Sequence, residues 1–224
     1  MNRFIIIITA IFLILTPIKS EAAIEGYQIV AKSGKEKITL YAKKMDGLYH
    51  YFKIDFKGKV YSRPFWLNVT NPTYAPQIYY EDINKDEKKE LIIILTKGYG
   101  TGALKEEVYV YRYTNGLIDV LVENPIAIIY KNVKTKLTNE KAEVKVADKV
   151  YAVDITPLEI KPENLFDDIG FGSIIKYEVS DNQLIAKIPG QISPAGYIGE
   201  IVIVYEYRDK MYQAKSIEFQ PGEF

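Results

Sequence analysis

Glu107-Val108-Tyr109-Val110-Tyr111-Arg112-Tyr113 gives the clearest indication of the fold, because its residue types alternate along the chain. Alternation with a period of two, rich in valine and tyrosine, is typical of a β-strand whose two faces lie in different environments. Asn115-Gly116 follows almost at once, and this dipeptide favours the positive φ angles of a tight hairpin turn. The stretch therefore predicts a strand that leads into a hairpin.

The same pattern recurs along the chain. Further alternating runs lie at residues 37–41, 49–56, 143–146 and 200–207, with turn residues at Lys57-Gly58, Ser180-Asp181-Asn182 and Arg208-Asp209-Lys210. Helical periodicity is nearly absent, and only residues 162–165 predict one short turn of helix, started by Pro162. The sequence therefore predicts a mainly β protein with little helix, in which antiparallel hairpins form a β-sandwich or partial propeller-blade-like sheets.

The first 22 residues predict export. Met1-Asn2-Arg3 is positively charged, residues 4–15 are apolar, and Ser20 and Ala22 place small side chains before a cleavage point. The apolar run is too short for a membrane span, which needs roughly 20 residues. We therefore predict a signal peptide at residues 1–22 and a secreted or cell-surface protein without a membrane span after cleavage. An uncleaved membrane anchor is the alternative.

Composition narrows the possible partners and the sources of stability. The chain has 29 Lys and Arg against 29 Asp and Glu, and no basic stripe is interleaved with aromatic residues, which argues against a nucleic-acid partner. It has no Cys, so neither a lipid-anchored lipoprotein nor disulfide bonds are expected. Stability must come from burial, or from burial together with a bound metal.

The domain organisation has two interpretations. A soft boundary falls at Glu123-Asn124-Pro125, between a half that carries motifs and a half that is uniformly β-like. We predict a first β domain at residues 23–122 and a second at residues 123–224. One continuous β domain is the alternative.

The stretch with the most specific chemistry is Asp82-Ile83-Asn84-Lys85-Asp86-Glu87-Lys88-Lys89-Glu90-Leu91. Oxygen-bearing side chains stand at relative positions 1, 3, 5 and 9, and a tight loop can aim such side chains at one point. Calcium binds six to eight oxygen ligands at about 2.3–2.6 Å. The spacing therefore predicts a calcium loop, supported by the apolar strand at residues 91–95.

This stretch resembles the calcium loop of FG-GAP and VCBS-type repeats. The resemblance covers roughly residues 78–113, and a broader similarity to exported Bacillus-type proteins with a VCBS repeat extends towards the C-terminus. It implies structural calcium held by the side chains of Asp82, Asn84, Asp86 and Glu90 and by the carbonyl of Lys88. The alternative is a solvated acidic turn, in which Asp and Asn cap their own backbone. Glu87, where the repeat usually has glycine, favours that alternative.

Catalytic groups are scarce. The chain has one His, no Cys and no G-x-S-x-G motif, so nucleophilic acyl chemistry lacks its usual residues. Adjacent carboxylates occur at Glu106/Glu107 and Asp167/Asp168, and glycoside hydrolysis needs only two such groups. Gly98-Tyr99-Gly100-Thr101-Gly102-Ala103 matches a dinucleotide fingerprint, but a strand-like stretch follows it where a helix is required, so a hairpin is predicted instead.

Aromatic residues favour a binding function. Trp66, Tyr79, Tyr80 and Tyr99 are candidates for a platform that binds glycan or peptide, whereas packing across strands is the alternative for most of the 19 Tyr. The leading hypothesis is an exported non-catalytic β protein that acts as a cell-surface or extracellular binding or structural module, with an extracellular or cell-wall ligand such as a glycan or protein. The alternative is a secreted hydrolase of wall or polysaccharide that uses a carboxylate pair.

Overall fold

The structure is a computed structural model that describes residues 24–222. The predicted signal peptide at residues 1–22 lies outside the described residues. No helix within residues 24–222 has both the length and the apolar character needed to cross a membrane.

The first third of the chain forms a five-stranded antiparallel sheet. Its strands are β1 (Gln28–Ser33), β2 (Ile38–Met45), β3 (Leu48–Phe56), β4 (Lys59–Arg63) and β5 (Asn68–Val69). The order is β1-β2-β3-β4, and the short β5 pairs with the start of β3. The turn at Lys57-Gly58 joins β3 to β4 as the sequence predicts, and both of its residues have positive φ.

A nine-stranded sheet follows, and it includes strands from both halves of the chain. Its first strands are β6 (Gln77–Glu81), β7 (Glu90–Gly100), β8 (Ala103–Tyr113) and β9 (Leu117–Val122). After a helix and a small sheet, its remaining strands are β13 (Gly170–Phe171), β14 (Ile174–Ser180), β15 (Gln183–Gln191), β16 (Tyr197–Arg208) and β17 (Met211–Pro221).

Two parallel pairings join the halves of this sheet. Strand β17 pairs with β9 at Met211 and Leu121, and β14 pairs with β8 at Ile174 and Leu104. Because β14 also pairs with β15, the strands β8, β9, β17, β16, β15 and β14 close into a ring. The predicted boundary after residue 122 thus falls between strands of one sheet.

A helix and a third sheet lie between β9 and β13. They are α1 (Pro125–Asn132), β10 (Val133–Leu137), β11 (Lys141–Val146) and β12 (Lys149–Asp154). Asn124 caps α1 by accepting hydrogen bonds from the N–H groups of Ile126 and Ala127, and Pro125 occupies the first turn. The helical turn predicted at residues 162–165 is a short 3-10 helix at Pro162–Asn164.

Strand β7 separates two apolar cores because side chains alternate across a strand. Leu91, Ile93 and Leu95 pack with the first sheet, whereas Ile92 and Ile94 pack with the ring, α1 and the third sheet. A strand buried on both faces explains why its sequence is continuously apolar. This stacking of sheets confirms the predicted mainly β, sandwich-like fold.

Candidate functional site

The loop between β6 and β7 has the tight shape that its sequence predicts. Lys85 and Glu87 adopt left-handed conformations, with φ of 62° and 66°. Such a conformation is unfavourable for any residue with a Cβ and is the reason that calcium loops carry glycine at the sixth position. Glu87 occupies that position here, so the backbone makes this sharp turn without the glycine that would adopt it at no steric cost.

Side-chain oxygens inside the loop accept hydrogen bonds from its backbone. Asp82 accepts from the N–H of Asp86 at 3.1 Å and from the N–H of Glu87 at 3.0 Å, one bond to each carboxylate oxygen. Asn84 Oδ1 accepts from Asp86 at 2.9 Å, and Asp86 Oδ1 accepts from the N–H of Lys88 at 3.0 Å. The loop is therefore a series of overlapping side-chain-capped turns.

Glu90 closes the loop from beneath. Its side chain is 1% exposed, and its two oxygens accept from the N–H of Ile83 at 3.2 Å and from Asn84 Nδ2 at 2.9 Å. Burial raises the pKa of Glu90 to about 7, with a further rise from the nearby Asp86 carboxylate, while the Ile83 N–H and Arg112 oppose the change. Hydrogen bonds from the Ile83 N–H and the Asn84 amide therefore hold the Glu90 carboxyl group in place.

Arg112 faces the same carboxylates from β8. Leu91 and Tyr111 are partners in the β7–β8 register, so Glu90 and Arg112 form the next cross-strand pair. The guanidinium Nη2 lies 2.5 Å from Asp86 Oδ2, and Nε lies 3.9 Å from Glu90 Oε1. A positive charge supplied by the protein therefore stands between two of the predicted calcium ligands.

The predicted ligand set does not fit a calcium ion in this arrangement. The side-chain oxygens of the four predicted ligands are directed to loop N–H groups, to the Asn84 amide and to Arg112. Lys88 takes part through its N–H. Within residues 24–222, no three His, Cys, Asp or Glu side chains are grouped so that they could hold a metal ion. Calcium binding at Asp82, Asn84, Asp86, Lys88 and Glu90 stays a prediction.

Three of the four carboxylates considered for hydrolysis have partners within the protein. Glu106 and Glu107 are neighbours on β8 and point to opposite faces: Glu106 is buried and accepts from the Tyr177 N–H, whereas Glu107 pairs with Lys97. Asp168 accepts hydrogen bonds from the Thr135 hydroxyl and from its neighbour's N–H. These contacts give structural partners to Glu106, Glu107 and Asp168.

The aromatic residues singled out from the sequence separate into buried and exposed members. Trp66 is 4% exposed and stacks on Tyr109 with ring centroids 4.4 Å apart. Tyr80 packs edge-on against Phe56 in the same core. Tyr99 lies near the tip of the β7–β8 hairpin and remains 48% exposed. Of the residues predicted to form a binding platform, Tyr99 is therefore accessible, whereas Trp66 is part of the core.

Three further aromatic side chains that the sequence reasoning missed are Tyr51, Phe65 and Tyr74. Phe65 is 90% exposed, Tyr51 is 46% exposed, and Tyr74 stacks on Tyr99 with centroids 4.5 Å apart. We call Tyr51, Phe65, Tyr74 and Tyr99 the aromatic surface. The adjacent pair Phe65-Trp66 could have predicted an exposed aromatic residue, because two neighbouring side chains beside a sheet rarely both enter its core.

Asn68 holds the segments of the aromatic surface together. This fully buried side chain donates to the carbonyls of Val69 and Tyr74 at 2.7 and 2.9 Å, and it accepts from the Thr96 N–H at 2.7 Å. Asn68 also pairs with Tyr49 at the start of β3. One buried amide thus joins the chain before Tyr74 to the strand that leads to Tyr99.

Strand β3 is paired with the chain both before and after Phe65. Phe52 pairs with Arg63 on one side of it, and Tyr49 pairs with Asn68 on the other. The chain from Arg63 to Asn68 is therefore fixed to β3 at both ends, and Phe65 lies within it. Tyr74 and Tyr99 are in ring contact, and the buried Asn68 connects their segments to the strand that carries Tyr51.

Comparisons with protein-family models, with curated proteins and with solved structures gave no match for this chain.

Proposed function

We propose that this is an exported, non-catalytic β protein that binds an extracellular or cell-wall glycan through the aromatic surface. The observation that supports this most is the 90% exposure of Phe65. A large apolar side chain held in water by an anchored loop has no packing role to explain it. Contact with a partner would bury it.

The backbone at Tyr51 supports the same proposal. Tyr51 lies within β3 with φ of 53°, where the β2–β3 register shifts between Tyr41 and Lys43. A left-handed conformation is an outlier for a bulky residue, and such strain is concentrated at ligand sites. The strain is maintained because β3 is paired on both sides, with β2 and with β4.

A glycan matches the chemistry of these side chains better than a charged partner does. Aromatic rings offer flat, rigid contact area at low entropic cost, which suits the apolar faces of sugar rings. The near-neutral balance of 29 basic and 29 acidic residues gives no electrostatic reason to expect a polyanion. A protein ligand is the other outcome that the test below separates.

The test is retention of the purified protein on isolated cell wall, on a panel of insoluble polysaccharides and on immobilised extracellular proteins, with release of reducing ends measured in parallel. We expect retention on wall or polysaccharide without turnover. Phe65→Ser should lose most of it, while Leu121→Ser, which changes an exposed apolar side chain outside the aromatic surface, should keep it. Retention only on protein, or equal retention by Phe65→Ser, would contradict the proposal.

A further inference from the structure

The loop at residues 82–90 concentrates negative charge that must be balanced. Asp82, Asp86 and Glu90 belong to one short loop, and the Asp86 and Glu90 carboxylates both lie within 3.9 Å of the same guanidinium group. Carboxylates brought together in this way repel one another unless a cation or a proton lies between them. A positively charged group close to these carboxylates would therefore stabilise the loop.

The three lysines of the loop do not supply this charge. Lys89 is directed away from the loop, with its Nζ 3.6 Å from Glu36 and 5.5 Å from the centre of the Tyr80 ring. Lys85 and Lys88 are exposed, and within residues 24–222 neither forms an ion pair. The cation that contacts the loop carboxylates comes from another strand.

That cation is Arg112, and its position is fixed from two sides. On the loop side, its guanidinium contacts Asp86 at 2.5 Å and approaches Glu90 at 3.9 Å. On the other side, Nη1 donates to the Tyr207 hydroxyl at 3.3 Å, and the guanidinium carbon lies 5.3 Å from the centre of the Tyr207 ring. Arg112 therefore links the loop to β16, far away in sequence.

We propose that Arg112 is the resident cation of this loop, held where a metal ion would otherwise balance Asp86 and Glu90, so that Arg112 and a divalent cation exclude each other. The planar guanidinium suits this role because it offers five donors in a fixed fork and stays charged at all relevant pH values. The loop then keeps its shape without metal. This inference goes beyond the proposed glycan binding and does not depend on it.

The experiment is a calorimetric calcium titration, with thermal unfolding in calcium and in chelator, on the wild type and on Arg112→Gln. We expect no saturable calcium binding by the wild type up to about 10 mM, and binding by Arg112→Gln in the range of about 10⁻⁴–10⁻³ M typical of extracellular sites. Calcium should raise the melting temperature of the variant alone. Arg112→Lys, which keeps the charge, should behave like the wild type.

Arg208→Gln is the matched control, because Arg208 also pairs with acidic neighbours, Glu206 and Asp209, but lies outside the loop. It should leave the calcium response of the protein unchanged. Calcium binding by the wild type as tight as that of Arg112→Gln, or no binding by either, would overturn the proposal. If Arg112→Gln does not fold, the wild-type titration decides, since saturable binding there contradicts exclusion by Arg112.

Discussion

Asn68 is the single residue on which the arrangement of the aromatic surface depends most. Its amide forms three hydrogen bonds of 2.7–2.9 Å inside the protein, and no part of its side chain is exposed. Buried backbone groups that lose their partner pay a desolvation cost of about 1–3 kcal/mol each. Asn68 is thus a polar residue in the protein interior, and its hydrogen bonds are what make its burial favourable.

We expect Asn68→Ala to lower the free energy of unfolding by about 2–4 kcal/mol, because it leaves two carbonyls and the Thr96 N–H without their partner. Urea unfolding followed by tyrosine and tryptophan fluorescence measures this. Asn71→Ala is the control: Asn71 is partly exposed and caps only a 3-10 helix, so about 0.5–1 kcal/mol is expected. Equal losses in both variants would contradict the assigned role of Asn68.

Glu87 provides a second test at this scale. Its φ of 66° is unfavourable for a residue with a side chain, and that side chain is exposed. Glu87→Gly removes the strain but adds freedom to the unfolded chain, and we expect a net gain of about 0.5 kcal/mol in the free energy of unfolding. Lys88→Gly, at a position without positive φ, should lose stability. A loss of stability in Glu87→Gly would show that the conformation is not strained.

Among the elements, the junction of β8 and β14 has the greatest effect on the architecture, because it closes the ring. Only two residue pairs, at Ile174 and Ile175, join these strands. Beside them, the buried carboxylate of Glu106 accepts from the Tyr177 N–H at 2.6 Å. Burial raises the pKa of Glu106 above its ordinary value, although this hydrogen bond and Lys176 oppose the change.

The stability of the junction should therefore depend on pH. Because the folded pKa of Glu106 is raised, the folded state binds this proton more tightly than the unfolded state, and stability falls as pH rises from about 4.5 through the folded pKa. We expect Glu106→Gln to reduce this slope in urea unfolding between pH 4.5 and 8, with the remaining slope coming from Glu90, whose pKa is raised to about 7. Glu107→Gln, on the opposite face, should keep the wild-type slope; an unchanged slope in Glu106→Gln would contradict the argument.

Most elements were predictable because their signals are local. Alternation and turn residues placed the hairpins that join β3 to β4, β8 to β9, β14 to β15 and β16 to β17. Helix α1 was missed although Asn124 and Pro125 form a standard helix start, because its eight residues are too few for clear periodicity. The β8–β14 and β9–β17 pairings join distant segments, and no local pattern encodes them.

For the whole molecule, a core that both halves of the chain share should make the two halves unfold together. One core cluster contains Ile92 and Val110 from the first half of the chain together with Ile188, Ile201 and Phe219 from the second. We expect a single cooperative transition in calorimetry, with equal calorimetric and van't Hoff enthalpies. Two separate transitions would instead support the two domains predicted at residues 23–122 and 123–224.

The candidate sites show the same limit of sequence reasoning. The loop at residues 82–90 was predictable because its capping side chains and its turns are neighbours in sequence. The positions of Arg112 and Tyr207 relative to that loop follow from strand register and ring closure. Likewise, Trp66 packs in the core against Tyr109 and Tyr111, which are distant from it in sequence, so no local pattern distinguishes it from Phe65.

Binding through the aromatic surface is tested by the dissociation constants for purified cell wall, obtained by cosedimentation, of the wild type and of the double variant Phe65→Ser/Tyr99→Ser. Removing two aromatic contacts of about 1.4 kcal/mol each should weaken binding roughly 100-fold while the variant stays folded, which circular dichroism checks. Leu121→Ser should bind as the wild type does. A double variant that binds cell wall as tightly as the wild type would contradict the account.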